Sequence, residues 1–166
     1  MSSLHDSLNE YRKQLGKGEI QIAYKGLMEY MMGLRAYFQT KYPAYVISGS
    51  IYTGYMDMTY FSVSPAALKQ RNLKVAIVFL HEAFRFEVWL AGTNKSYQAE
   101  YYQFFKASGW QKYRLVTPGK GVDSILEHIL VEEPNFNDLD ALTARIETGT
   151  LKFIADVTDF LTQQAG

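Results

Sequence analysis

A set of polar and aromatic side chains in the middle of the chain has the residue types that a binding site needs. The set is Tyr55, Asp57, His81, Arg85, Glu87 and Trp89. If the strands that carry Asp57 and Glu87 both flank a third strand, the two carboxylates can share one face of a sheet and hold a divalent cation, which takes oxygen ligands. Arg85 between them would instead pair with them and fix the local structure. We favour the ion pair, because structural pairs are commoner than sites.

Other catalytic chemistry has little support in the sequence. The chain has no cysteine, which excludes disulfides, thiolate metal sites and a Cys–His pair. The three histidines, His5, His81 and His128, lack the two-histidine helical spacing of a zinc site. His81 follows a strand, where it is conceivable as a general base, but an exposed turn histidine without function is commoner. We therefore predict no cofactor and no metal, and leave open whether the protein is an enzyme.

Aromatic residues are abundant, with 13 Tyr and 10 Phe. Tyrosine combines an apolar ring with a hydroxyl that needs a partner. Such side chains can line a small-molecule pocket or stack on bases. The alternative that we favour is an aromatic core whose hydroxyl groups lie at its rim.

The net charge is zero but unevenly distributed. Residues 1–121 carry 15 Lys and Arg against 8 Asp and Glu, whereas residues 122–166 carry 2 against 9. We interpret this as acidic C-terminal helices lying against a basic body. No dense basic cluster is present, so we expect no nucleic-acid partner. No apolar run approaches the ~20 residues of a membrane span, and the first residues lack a signal-peptide pattern. We expect a soluble cytoplasmic protein with no membrane partner.

The candidate residues lie on predicted antiparallel strands. The pattern indicates strands over residues 45–51, 55–63, 74–80 and 84–90, with a short fifth strand over residues 113–116. In the fourth strand Phe86, Val88 and Leu90 share the core face, and Arg85, Glu87 and Trp89 share the other.

Helices are predicted on both sides of the sheet region. They cover residues 4–15, a long stretch from residue 20 to Pro43, residues 96–108, a short segment over residues 122–130, and one or two closing helices divided near Gly149. The fold class is α+β. We predict a single domain over residues 1–166, in which a four- to five-stranded antiparallel sheet packs against the long N-terminal helix, a mid-chain helix and C-terminal helices.

Two resemblances follow from these segments. The runs G-S-I-Y-T-G-Y-M-D-M-T-Y-F and K-V-A-I-V-F-L-H-E-A-F-R-F-E-V-W-L-A-G resemble a family of uncharacterised bacterial proteins over most of the chain. That resemblance implies no activity. The element order also loosely resembles the restriction-endonuclease-like fold, which places Asp on one strand and Glu-x-Lys on the next. Here the triplet is Glu87-Val88-Trp89, so the lysine position holds Trp89 and the resemblance implies an inactive relative or a variant that uses another cation.

Three hypotheses of function result. The first is a cytoplasmic binding or regulatory protein without catalysis, whose ligand site is the set of six residues on one sheet face. The second is a metal-dependent, nuclease-like enzyme or a degenerate relative that uses Asp57 and Glu87. The third is a protein-interaction subunit, suggested by the charge asymmetry and by Met28, Met31 and Met32 on the long helix. The partner is a small molecule or a protein, and the oligomeric state is open.

Overall fold

A six-stranded antiparallel sheet lies at the centre of the computed structural model, which describes residues 1–165. The strands are β1 (Val46–Ile47), β2 (Met58–Ser64), β3 (Leu73–Leu80), β4 (Arg85–Gly92), β5 (Arg114–Leu115) and β6 (Ser124–Glu132). Their order across the sheet is β1-β2-β3-β4-β6-β5. The predicted α+β class is confirmed, and the sheet has six strands where the sequence predicts four to five. The last residue of the predicted domain, Gly166, lies outside the described residues.

Five helices accompany the sheet in residues 1–165. They are α1 (Leu4–Gly16), α2 (Glu19–Lys41), α3 (Ala66–Lys69), α4 (Lys95–Ala107) and α5 (Leu139–Ala165). Ser3 and Asp6 form a capping box at the start of α1, and the Asn94 side chain accepts a hydrogen bond from the Tyr97 N–H at the start of α4. None of these helices combines the length and apolar character that crossing a membrane requires.

The predicted division of the C-terminal helix near Gly149 is wrong, because α5 runs through that position without a break. A Cβ atom at Gly149 would lie 2.6 Å from Cδ2 of Leu130 on β6. The glycine therefore lets the helix approach the sheet closely and does not end the helix.

Helices α2, α4 and α5 pack on one face of the sheet. The rings of Phe38 on α2 and Phe61 on β2 have centroids 6.3 Å apart. A Cβ atom at Gly92, which has the same parity as Phe86 and Val88 on β4, would lie 2.7 Å from the backbone nitrogen of Gln98 in α4. Because alternate residues of a strand point to opposite faces, Arg85, Glu87 and Trp89 belong to the second face.

The prediction of a short helix over residues 122–130 is wrong, since this segment forms β6 and His128 therefore lies on a strand. β6 pairs with β4 with register shifts at two places. At one shift Phe86 pairs with Val131 and Glu87 pairs with Ile129, which leaves Leu130 as the extra residue of a bulge. A bulge interrupts the two-residue alternation of a strand. The apolar residues of β6 therefore recur at intervals of three and four residues, as they would on one face of a helix.

The other predicted strands are present, with altered limits. The first is shorter than predicted, since β1 covers only Val46–Ile47 and is followed by an isolated bridge between Tyr52 and Tyr60. The short strand expected near residues 113–116 is confirmed as β5.

Ion pairs join the basic and acidic parts of the sequence. They connect Lys41 to Glu147, Arg85 to Glu132, Lys95 to Asp123, Lys112 to Asp156 and Arg114 to Glu127. In each pair the cation comes from residues 1–121 and the carboxylate from residues 122–166. Five of the nine carboxylates of residues 122–166 therefore pair with cations of residues 1–121, so these intramolecular ion pairs neutralise much of the excess acidic charge.

Candidate binding groove

Three of the six predicted site residues form a closed cluster on the second face of the sheet. Glu87 Oε2 accepts a hydrogen bond from Arg85 Nε at 2.6 Å, and Glu87 Oε1 accepts one from Trp89 Nε1 at 2.8 Å. The Glu87 side chain is only 3% exposed. A buried carboxylate needs such partners, and both oxygens of Glu87 have them. We call Arg85, Glu87 and Trp89 the Glu87 cluster.

The other three predicted residues lie at the open end of the β2–β3 pair: Tyr55 and Asp57 come just before β2 begins, and His81 follows the end of β3. The Tyr55 N–H donates to Asp57 Oδ1 at 2.8 Å, and this bond lowers the pKa of the Asp57 carboxyl. The His81 N–H donates to the Asp57 carbonyl, and His81 Nε2 lies 2.8 Å from Thr59 Oγ1. Tyr55 itself is 92% exposed and projects into solvent.

Asp57 and Glu87 are not brought together. Glu87 is aligned with Val78 of β3 and with Tyr60 of β2, on the second face. Asp57 precedes Tyr60 by three residues, which is roughly 10 Å along a strand, and it lies in a turn before β2 begins. Within residues 1–165 no group of three or more His, Asp or Glu is placed to hold a metal ion. The geometry therefore gives no support to a cation shared by these two carboxylates.

A large groove lies elsewhere, between α2, the start of α5 and the end of the β3–β4 hairpin. Its volume is about 1230 Å³. The α2 wall includes Ala23, Tyr24, Gly26, Tyr30, Gly33 and Tyr37; the α5 wall includes Leu139, Asp140, Thr143 and Ala144; the remaining side includes Met56, Phe79, His81, Phe84 and Phe136. We call this the α2–α5 groove.

Two glycines on α2 leave part of this space open. Gly26 and Gly33 both line the groove, and a Cβ atom added at either would meet nothing within 4 Å. Residues seven apart lie on the same side of a helix. A glycine inside a helix costs about 1 kcal/mol relative to alanine, so two on one face call for a reason. Room for another molecule is such a reason.

The base of the groove is aromatic. The Tyr30 ring contacts Phe86 and Phe136, with centroid distances of 6.1 and 5.8 Å. The Phe79 and His81 rings meet edge to face at 5.1 Å. The Tyr30 hydroxyl is 2.9 Å from Thr143 Oγ1, which joins the two walls. The groove thus offers apolar surface with a few polar groups, the usual composition of a ligand site.

A buried carboxylate behind the groove also fixes α2 against α5. Glu147 on α5 accepts hydrogen bonds from Tyr37 Oη at 2.9 Å and from Tyr42 Oη at 2.5 Å, and Lys41 Nζ lies 2.8 Å from Glu147 Oε2. Burial acts to raise the pKa of Glu147, but the hydrogen bonds from Lys41, Tyr42 and Tyr37 outweigh it and lower that pKa. Burial, followed by the bond to Glu147, raises the pKa of Tyr42 to about 12.

His81 is the member of the predicted set that lines the α2–α5 groove; the other five lie outside its lining. Burial lowers the pKa of His81, and the nearby Asp57 carboxylate opposes that shift in part. Burial therefore favours the neutral form of the imidazole. The α2 residues of the groove were not predicted, although Gly26 and Gly33 among tyrosines were a signal that the sequence already contained.

Comparison with known proteins identifies the family. The model of a family described as Domain of unknown function (DUF7000) matches residues 4–161. The chain belongs to this family, which confirms the resemblance to an uncharacterised family. No curated protein and no solved structure matches the chain. The bacterial origin and the nuclease-like resemblance stay predictions.

Proposed function

We propose that the protein is a binding protein without catalysis, and that it takes up an apolar ligand in the α2–α5 groove. The observation that carries this proposal is the groove itself, whose volume of about 1230 Å³ is sufficient for a small organic molecule. Pockets for such ligands commonly measure roughly 300–1,000 Å³ and are mainly hydrophobic, with a few polar groups that orient the ligand.

The ionisable groups of the groove indicate the charge of its ligand. Besides the tyrosines, the titratable side chains among its lining residues are Glu29, Asp140 and His81. Two carboxylates and a neutral imidazole disfavour an anion. We therefore propose a neutral or cationic ligand with a predominantly apolar body, oriented by a hydrogen bond near His81.

The hydrogen bonds around His81 support binding and not catalysis. Thr59 is fully buried, and its hydroxyl donates to the Thr53 carbonyl at 2.8 Å. A hydroxyl has one proton, so His81 Nε2 donates to Thr59 Oγ1 in this arrangement. His81 is thus a hydrogen-bond donor to Thr59 and not the base that would activate it as a nucleophile.

The six site residues predicted from the sequence have different roles in this proposal. His81 is retained as a ligand contact. Tyr55 and Asp57 shape the adjacent turn, and the Glu87 cluster has a structural role in the proposal. We also propose a cytoplasmic location; the chain has no cysteine and so needs no oxidising compartment to form disulfides.

The test fills the groove and measures the binding of a neutral apolar fluorophore, N-phenyl-1-naphthylamine. Gly33→Leu places a side chain in the groove, whereas Ala36→Leu places the same side chain on an exposed part of α2 outside it. We expect the dissociation constant to rise about tenfold or more in Gly33→Leu and to stay unchanged in Ala36→Leu. Circular dichroism should show both variants folded. Equal saturable binding by all three proteins, or none by the wild type, would contradict the proposal.

A further inference from the structure

Helix α1 carries an apolar stripe that its own chain does not cover. Leu4, Leu8 and Tyr11 recur at helical spacing and are 76%, 52% and 56% exposed. None of the residues of this helix is buried. Isolated helices shorter than about 12–15 residues are marginal in water, and α1 has 13 residues. Despite its capping box, α1 would gain most of its stability from packing its stripe against another surface.

The α2–α5 groove has the complementary shape and polarity. Its rim carries exposed apolar side chains: Ile20, Ile22, Met56, Phe84 and Leu139. Its walls carry small residues, which leave room for a second helix: Ala23, Gly26, Gly33 and Ala144. Small residues let a helix approach another helix closely, and an apolar groove of this kind accepts an amphipathic helix through side chains at i, i+4 and i+7. Leu4, Leu8 and Tyr11 have that spacing.

The charges of the two surfaces are also complementary. In α1 the acidic side chains already have local partners, since Asp6 accepts from Ser3 and Glu10 accepts from Gln14. Arg12 and Lys13 take part in none of the salt bridges found within residues 1–165. The groove presents Asp140 and also Glu29, whose carboxylate already lies 3.9 Å from Lys25 Nζ on α2. The helix as a whole has no net charge, because Asp6 and Glu10 balance Arg12 and Lys13, so the attraction is local: Arg12, one turn after Leu8 and beside the stripe, is placed to face Asp140 on the rim.

We infer that α1 of one copy lies in the α2–α5 groove of a second copy, in a reciprocal dimer. This inference rests on the proposed function, because it names a protein partner for the same groove. Each chain carries both the helix and the groove, so one two-fold axis closes both contacts. The α1 helix then covers the rim, while the aromatic base behind it remains available to a small ligand.

The joint between α1 and α2 explains why the partner is a second copy and not the same chain. The turn is held by hydrogen bonds from the Lys17 and Gly18 N–H groups to Gln14 and Leu15, and Gln21 Nε2 donates to the Leu15 carbonyl. The groove begins at Ile20, just after this turn. The bonded turn leaves Leu4 and Leu8 exposed, away from their own groove.

Disulfide trapping gives a direct test, because the chain has no cysteine of its own. One chain carries Leu8→Cys, and a second chain with a different tag carries Ala144→Cys. We expect mild oxidation of the mixture to give a covalent dimer that contains both tags. Asn9→Cys, which lies beside the stripe on α1, is the matched control and should give little product. A double variant that closes an intramolecular disulfide in a monomer would overturn the proposal, since α1 would then lie in its own groove.

Solution mass by light scattering, without ligand, tests the same contact noncovalently. The wild type and Asn9→Glu should be dimers, and Leu8→Glu should be a monomer that circular dichroism shows to be folded. Leu8→Glu should also bind N-phenyl-1-naphthylamine at least as tightly as the wild type, because its groove is uncovered. A monomeric wild type that binds the fluorophore would refute the dimer and leave the proposed function standing. A dimer sensitive to Leu8→Glu that binds no fluorophore in either form would refute the small-molecule ligand alone.

Discussion

The Glu87 cluster and the α2–α5 groove both combine aromatic and polar side chains, but their partners differ. In the cluster both carboxylate oxygens of Glu87 are used, one by Arg85 and one by Trp89. In the groove the tyrosine and phenylalanine rings border about 1230 Å³ of space, and the apolar rim is exposed. The comparison indicates that residues of the types found in active sites can use all their polar groups in hydrogen bonds with one another, as in the Glu87 cluster. Unused surface is the better indicator of a binding site.

The two regions also arise in different ways. Residues i and i+2 of a strand lie on the same face roughly 7 Å apart, so the side chains of Arg85, Glu87 and Trp89 meet by local geometry alone. The groove depends on the packing of α2 against α5, which brings Tyr30 next to Thr143 and Tyr37 next to Glu147. Substitutions in each region should therefore differ in their effects on stability and on fluorophore binding.

The largest effect is expected for Glu87→Ala. Removing one partner of a buried ion pair costs about 3–5 kcal/mol when the other charge stays buried, and Arg85 is partly exposed, so we expect the free energy of unfolding to fall by about 3 kcal/mol. Binding of N-phenyl-1-naphthylamine at a temperature where the variant is folded should not change. Urea denaturation and a fluorescence titration measure the two quantities.

Glu82→Ala is the control for that experiment, because Glu82 is an exposed carboxylate in the β3–β4 turn. It should change neither quantity. If Glu87→Ala kept its stability and lost fluorophore binding, the second face of the sheet would be the site and the structural role of the cluster would be wrong.

A smaller loss of stability, joined to a loss of binding, is expected for Glu147→Gln. Glu147 connects the two walls of the groove through Tyr37, Tyr42 and Lys41. Hydrogen bonds to a charged group contribute about 1.5–3 kcal/mol, so we expect the free energy of unfolding to fall by about 2 kcal/mol. The fluorophore should also bind several-fold more weakly, because the walls lose their alignment. Asp159→Asn on the same helix is exposed and should alter neither quantity.

The effect of Glu147 on stability should depend on pH. Its pKa is lowered from 4.5 in the folded protein, so its contribution is complete above about pH 4.5 and is lost as pH falls through the folded-state pKa. The difference in stability between the wild type and Glu147→Gln should therefore be largest near neutral pH and shrink in acid. A difference that stayed constant down to pH 3 would mean that the charge of Glu147 is not what stabilises the contact.

The sequence predicted the central strands because their patterns are local. Residues 74–80 form a nearly continuous apolar run, and the alternation in β4 placed Phe86, Val88 and Leu90 in the core. The sequence pattern of β6 wrongly predicts a helix, because the bulge at Leu130 depends on pairing with β4, which the sequence does not show. Secondary-structure propensity and hydrophobic periodicity are weak predictors where pairing with another strand decides the conformation.

The candidate site was harder to predict for a related reason. Residue type suggested the Glu87 cluster, but whether Glu87 is free or paired depends on side-chain hydrogen bonds. The α2–α5 groove depends on what is missing at Gly26 and Gly33, and a search for chemically active residues passes over glycines. The walls come from segments more than a hundred residues apart, so only their packing shows the space between them.

The smallest effect expected is a pH dependence of binding that comes from His81. Burial lowers the pKa of His81 below 6.5, so the imidazole becomes charged only as pH falls below that value. A charged imidazolium in the groove needs hydration and disfavours an apolar occupant. Affinity for N-phenyl-1-naphthylamine should therefore fall as pH is lowered from 7.5 through the pKa of His81 in the wild type and stay level in His81→Gln.

His128 is the matched control for this measurement. Burial lowers its pKa in the same direction, but it lies on β6 with its ring 4.7 Å from the Tyr113 ring, outside the groove lining. His128→Gln should keep the pH dependence of binding. If His128→Gln removed that dependence and His81→Gln did not, the proton would act through the fold and not in the groove. The one residue shared by the sequence-predicted set and the α2–α5 groove would then have no contact with the ligand.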